Sequence, residues 1–337
     1  MAARRLYSRR ANCRLLWAAR LSTADVAIGA TVVAPQARSP RQLFWDRFKQ
    51  DKAALVGGIV IILLILVALF GGALAERISG HPPNEPYGSM TDDFGIPLGP
   101  NSEFWFGADA AGRDLFVRTM YGARTSLLVG IVASGIAVLI GTVVGLLAGY
   151  FGRWTDTALS RGADVMLAVP TLLISIGIVA SCSTTKEGCL NGLVQPGLSL
   201  VILVIALFSW SYVARVVRGN TLSLKEKEFV EASRSIGAGS ARIVVGDLLP
   251  NLAAPIIVLA TLLIPQSILF EAALSYLGLG VPPDQASWGQ ILADASGLYD
   301  VAWWLMVFPG AFLVVTTLAF NLLGDGLRDA LDVRTDR

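Results

Sequence analysis

AALVGGIVIILLILVALFGGAL, residues Ala53 to Leu74, decides the fold. This stretch of 22 residues holds no Asp, Glu, Lys or Arg. A helix needs roughly 20 largely apolar residues to cross a hydrocarbon core about 30 Å thick. Five more windows along the 337-residue chain read the same way: Leu127 to Gly149, Ala163 to Ala180, Leu198 to Val217, Leu252 to Tyr276 and Val301 to Leu323. The fifth window is interrupted by Pro265 and carries Glu271 near its far end. No alternating ten-residue pattern appears, so a β-barrel is excluded. Composition agrees, with 54% hydrophobic residues and 15% charged ones, where soluble proteins carry about 25% charge. So few charges cannot cover a soluble particle of this size. The predicted fold class is an all-α integral membrane protein with six crossings.

Charge placement orients the bundle. Lys and Arg number 22 on one set of connections (up to Lys52, Phe151 to Gly162, Arg215 to Pro250, and after Leu323) and 5 on the other. Basic connections stay cytoplasmic, so both termini are expected inside, with residues 76–125 and the loop Leu277 to Asp300 outside. The segment 1–52 reads as a solvated basic tail touching anionic lipid rather than a secretory leader, because its apolar part, VAIGATVVAP, is short and broken. A net charge of +2 gives no support to a nucleic-acid partner.

Several chemistries lack raw material. His81 is the only histidine; it lies in a Pro-rich external stretch and is expected to be solvated, and no metal site or catalytic residue is expected. Lys49, Lys52, Lys186, Lys225 and Lys227 are each followed by something other than Ser or Thr, which excludes a phosphate-binding loop of the GK[ST] type. Cys182 and Cys189 share a short external loop, where a disulfide and two free thiols are both compatible with the spacing; Cys13 is cytoplasmic. The few ionisable residues in the windows, Asp164, Arg215 and Glu271, sit near interfaces, where water can reach them, and no mid-membrane carboxylate marks an ion-coupled pump. Gly141, Gly145 and Gly149 recur every four residues, a face that permits close helix packing or lines a path.

The basic loop 215–250 reads as the most structured soluble piece. Ser223 and Glu226 fit a capping box, Gly237 fits a left-handed helix end, and a helix from Leu224 to Ile236 is predicted between them, with Phe229, Ala232, Ser233 and Ile236 on one face. A short run from Ser240 to Val245 follows, and Pro250 suits the first turn of the next crossing.

Glu231-Ala232-Ser233, Gly237 and Leu249-Pro250 resemble the EAA motif of ATP-binding-cassette importer permeases: E-A-A, three residues, G, nine residues, then I-x-L-P. Ser233 and Asp247 depart from that pattern. Phe106 to Asp109, Gly112-Arg113-Asp114, Arg118 and Tyr121 to Arg124 are similar to the segment preceding the second helix of C-type permeases in dipeptide and oligopeptide importers, with Ala108 and Val117 as departures. Asp164 to Pro170, Glu271 to Gly280 and Asn321 to Asp329 follow in the order of the same family. The resemblance covers roughly Phe44 to Arg334. It implies the type I importer permease fold, with a helix at 53–75, a core at 126–325 and a tail at 326–337. Glu231 would meet an ATPase subunit through a coupling helix presenting Phe229 and Ile236. The implied partners are a second permease, two ATP-binding subunits that use ATP and Mg, and an external substrate-binding protein, in a prokaryotic inner membrane. The implied cargo is a di- or oligopeptide; a nickel chelate, glutathione or a sugar is the alternative, as is a stand-alone transporter or channel. The external loop Leu277 to Asp300, with Pro282, Pro283, Trp288 and Gly289, is expected to fold back toward the pore mouth, where the resemblance places the surface that meets the binding protein.

Overall fold

The computed structural model describes residues 40–183, 189 and 194–331. Most of the basic N-terminal segment, parts of the loop after Ser183 and the tail from residue 332 lie outside the described residues. Phe44–Arg337 forms one compact unit, with no named strand among the described residues.

Side-chain caps set where the first crossings begin. Asp51 accepts from the amides of Ala53 and Ala54 at 2.9 and 3.1 Å and opens α2 (Lys52–Ser79), which follows α1 (Pro40–Gln50). Gly80, at φ 76°, ends it. Asp114 accepts from Phe116 and Val117 and opens α3 (Leu115–Phe151). Such caps satisfy amides that the first turn leaves unpaired. The charged segment Asp109 to Arg124 is thus a loop followed by the first turns of α3.

The third window is not one straight helix. α4 (Arg153–Ala168) and α5 (Thr171–Ser183) meet at Val169 and Pro170 with a bend of 85°. Val169 is extended, as a residue before proline prefers, and Pro170 supplies no amide to continue the ladder. Two ion pairs hold α4 along α6 (Leu198–Leu224): Asp156 with Arg218, and Asp164 with Arg215 at 2.6 Å. Among the described residues five helices are long and apolar enough to cross alone, and the bent pair brings the number to six when it is counted as one span.

α7 (Glu228–Ser235) follows, then α8 (Ser240–Tyr276), α9 (Trp288–Ala295) and α10 (Trp304–Leu331). The glycine stripe of α3 faces α6: a Cβ on Gly141, Gly145 or Gly149 would lie 2.5 to 2.7 Å from Val213, the Ala214 carbonyl or Thr221. The stripe is therefore a packing face. Gly57 brings α2 against α10 in the same way, 2.7 Å from the Ala319 carbonyl. Without a hydrophobic drive between helices in lipid, such backbone proximity is what holds a bundle together.

Candidate functional site

At the end of the bundle carrying the basic connections, α6 runs to Leu224, three residues turn, and α7 projects as two turns of helix. Ser223 lies within the last turn of α6, so it is helical rather than extended and does not cap α7. The expected capping box is absent and the expected helix from Leu224 is shorter, because Val217 and Thr221 stay buried against the glycine face and keep α6 helical to its end. Lys227, in extended backbone, precedes α7 instead. Gly237 does terminate it, at φ 80°, with its amide donating to the Arg234 carbonyl and that of Ala238 to Ser233. The run after Ser240 does not stop at Val245. It continues within α8 through a wide turn over Ile243–Leu248, which ends two residues before Pro250, whose ring would crowd the carbonyl four residues back in an ordinary α-helix.

Val230 fixes the projection. It is fully buried in one hydrophobic cluster with Leu146, Val213, Val217, Ile243, Leu248 and Leu252. Lys225 Nζ donates to the Gly149 carbonyl at 3.0 Å and closes the end of α3, while the Arg234 guanidinium lies 5.7 Å from the Tyr150 ring centre. Leu249 packs against the same cluster. Glu231, Ala232 and Pro250 are exposed and Ser233 is half-buried; Phe229 is 39% and Ile236 78% exposed. A short, buried-rooted peg thus offers a mixed apolar and acidic surface. The sequence reading found the exposed residues and missed the root; Val230, the one β-branched residue in EFVEASRS, was the available signal.

The opposite end is a polar clamp. Glu271, expected near water, is fully buried. Its carboxylate accepts from Ser275 at 2.7 Å, Ser287 at 2.9 Å and Ser126 at 3.5 Å. Ser287 also caps α9 through the Gln290 amide, and Ser126 receives the Trp288 amide, so one carboxylate ties α3, α8 and α9. Trp288 is buried, its Nε1 on the Thr119 carbonyl at 3.0 Å; the loop after Leu277 does fold back onto the bundle. Arg118 is buried and donates to the Pro83 and Pro283 carbonyls and to Asn84, with Asp109 at 3.1 Å and Arg113 on the same carboxylate. Burial, then the Asp109 charge, pushes the Asp294 carboxyl up from its ordinary value.

His81 is also buried rather than solvated. It stacks on Phe104, with centres 4.3 Å apart, and its Nδ1 lies 2.8 Å from Asp114. Cys182 and Cys189 are joined, with Cα atoms 5.0 Å apart. Among the described residues no three His, Cys, Asp or Glu side chains are grouped to hold a metal ion.

Residues 141–337 match the family model described as binding-protein-dependent transport system inner membrane component, and residues 39–97 match the N-terminal transmembrane domain of oligopeptide transport permease C. The chain is 40% identical over 294 residues to the dipeptide transport system permease protein of Alkalihalophilus pseudofirmus, covering 87% of this chain and 90% of the relative. It is 39% identical over 286 residues to the oligopeptide transport system permease protein of Bacillus subtilis, covering 85% and 87%. It is 40% identical over 299 residues to the glutathione transport system permease protein of Escherichia coli, covering 88% and 91%. Among solved structures, an inward-facing MetNI methionine ABC transporter matches with a TM-score of 0.52 at 20% identity, over 64% of this chain and 96% of that one.

Proposed function

The chain belongs to the family of binding-protein-dependent transport system inner membrane components, and from that premise we propose that it forms half of the pore through which short peptides enter a prokaryotic cell. It is a multi-pass permease subunit with the type I importer fold, not an enzyme, and ATP hydrolysis belongs to separate subunits. In this reading a second permease completes the pore and an external binding protein delivers the cargo. Two ATPase subunits, which bind ATP and Mg, sit beneath the peg, and both termini lie in the cytoplasm beside the basic connections. Relatives named for dipeptides, oligopeptides and glutathione match at about the same identity; glutathione is itself a short peptide, and the shared chemistry is a small peptide.

The observation that carries the reading is α7, rooted by Val230 and exposing Phe229, Glu231 and Ile236. A peg with a buried root transmits displacement, because a packed root moves with the helices around it. Nucleotide would drive the cycle by binding more tightly to the state in which the ATPase subunits close, since only unequal affinity shifts an equilibrium. Glu231→Arg tests it: the ATPase subunits should no longer co-elute with the permease pair, and peptide uptake should fall with them. Intact assembly and unchanged uptake in that variant would refute the assignment.

A further inference from the structure

A cleft of about 680 Å³ opens between the basic-end halves of α6 and α8 and the end of α10. Lys227, Arg328, Asn251 and Ser223 line it from the basic-end turns, Asn220 from the next turn of α6, and Val216, Val258 and Leu259 from farther along the helices toward Tyr212 and Leu262. From Asn251 to Leu262 the cleft runs about 17 Å at 1.5 Å per residue. Half of the hydrocarbon core, one leaflet, is about 15 Å. Among the described residues its lining has two cations and no carboxylate, and neither cation is ion-paired.

We infer that this cleft holds one anionic phospholipid, with its phosphate between Lys227 and Arg328 and one acyl chain along Val258 and Leu259. A groove about one leaflet long, mostly apolar along α8 and with its two cations at the basic end, matches a lipid in both dimension and charge. A passing peptide fits less well, because its amino-terminal ammonium finds no acid there. The inference goes beyond the transport reading and depends on no particular cargo.

The test uses the whole importer, purified with its companion subunits and placed in nanodiscs with equal phosphatidylglycerol and phosphatidylcholine. Val258→benzoylphenylalanine supplies a photo-crosslinker, and mass spectrometry identifies what it captures. Two cations beside one phosphate predict phosphatidylglycerol adducts favoured about thirtyfold at low salt. That preference should fall to near parity in Lys227→Gln/Arg328→Gln and persist in Lys227→Arg/Arg328→Lys. Should the crosslinker disturb assembly, phosphatidylglycerol retained through delipidation of the unlabelled complex gives the same comparison. Adducts to the second permease, adducts to a supplied peptide, equal capture of both lipids, or a preference indifferent to the charge changes would each overturn the inference. Uptake is measured separately, so a negative lipid result leaves the transport reading standing.

Discussion

Gly145→Ala puts one methyl group into the close contact between α3 and α6. The new Cβ would stand 2.7 Å from the Ala214 carbonyl, 2.8 Å from Val217 Cβ and 3.0 Å from the Arg218 amide. Ordinary contact begins at 3.4 Å, so α6 has to retreat by roughly 0.7 Å. Two of these three neighbours are main-chain atoms and the third is a β-carbon, so no rotamer change relieves the clash. Overpacking of this kind costs about 3 kcal/mol at the upper end of its range. Alanine returns about 1 kcal/mol through its better helix propensity, which leaves a net loss of about 2 kcal/mol.

Gly135 on the same helix supplies the control, because nothing lies within 4 Å of a Cβ built there. Gly135→Ala should keep only the propensity gain, up to about 1 kcal/mol. Reversible unfolding in mixed micelles, followed by tryptophan fluorescence, should therefore order the proteins Gly135→Ala, wild type, Gly145→Ala. Gly141→Ala/Gly145→Ala should lose less than the sum of the single changes, since one displacement of α6 relieves both contacts. If Gly145→Ala proves as stable as Gly135→Ala, the close approach of α3 and α6 is wrong, and with it the argument that the stripe packs rather than lines a path.

Other measurements probe the two ends. Arg118→Lys keeps the charge but cannot reach the Pro83 and Pro283 carbonyls and Asn84 together; a loss of about 2 kcal/mol and faster proteolysis within residues 80–114 are expected. Glu271→Ala leaves three buried hydroxyls without their acceptor and should destabilise by more than Glu271→Gln, which keeps an oxygen there; equal melting temperatures for the two would contradict the clamp. Val230→Ala opens a hole beneath the peg worth about 2 kcal/mol, and ATP hydrolysis should continue with less peptide moved per turnover. Asp294 has a raised pKa, so its protonated form favours the fold: that contribution is complete in acid and is lost as pH rises through the folded value. Asp294→Asn should therefore melt above wild type at neutral pH, with the difference shrinking on acidification; a gap that widens toward low pH would reverse the sign.

Five of the six crossings were legible because length and apolarity alone report a spanning helix. The third was not, since an apolar count is blind to backbone donors. Pro265 and Pro309 sit inside intact helices while Pro170 ends one. What distinguishes Pro170 is the neighbourhood: α4 before it is polar enough to run along α6 through Asp156–Arg218 and Asp164–Arg215, so the chain turns there. The exposed side of the α7 peg could be read from local spacing, whereas Glu271 and His81 could not, because their burial depends on groups distant in sequence. Ser126 stands 145 residues from Glu271, and Asp114 stands 33 from His81.

The same tertiary contacts connect the two ends. α8 begins three residues past Gly237 at the foot of the peg, and its last turns carry Glu271 and Ser275 into the clamp with α9. One helix of 37 residues therefore joins the surface proposed for the ATPase to the loop that closes the opposite end. Its weak point is the wide turn Ile243–Leu248, close to the peg, and beyond Pro250 the remaining prolines, Pro255 and Pro265, lie within continuous helix. Bending concentrated near the root would swing the rest of α8 as a rod. Such a swing reaches α9 through the Glu271–Ser287 bond and through the close packing of Gly289 on Ala272, so loss of that acceptor should lower the peptide moved per ATP hydrolysed even where the bundle stays folded.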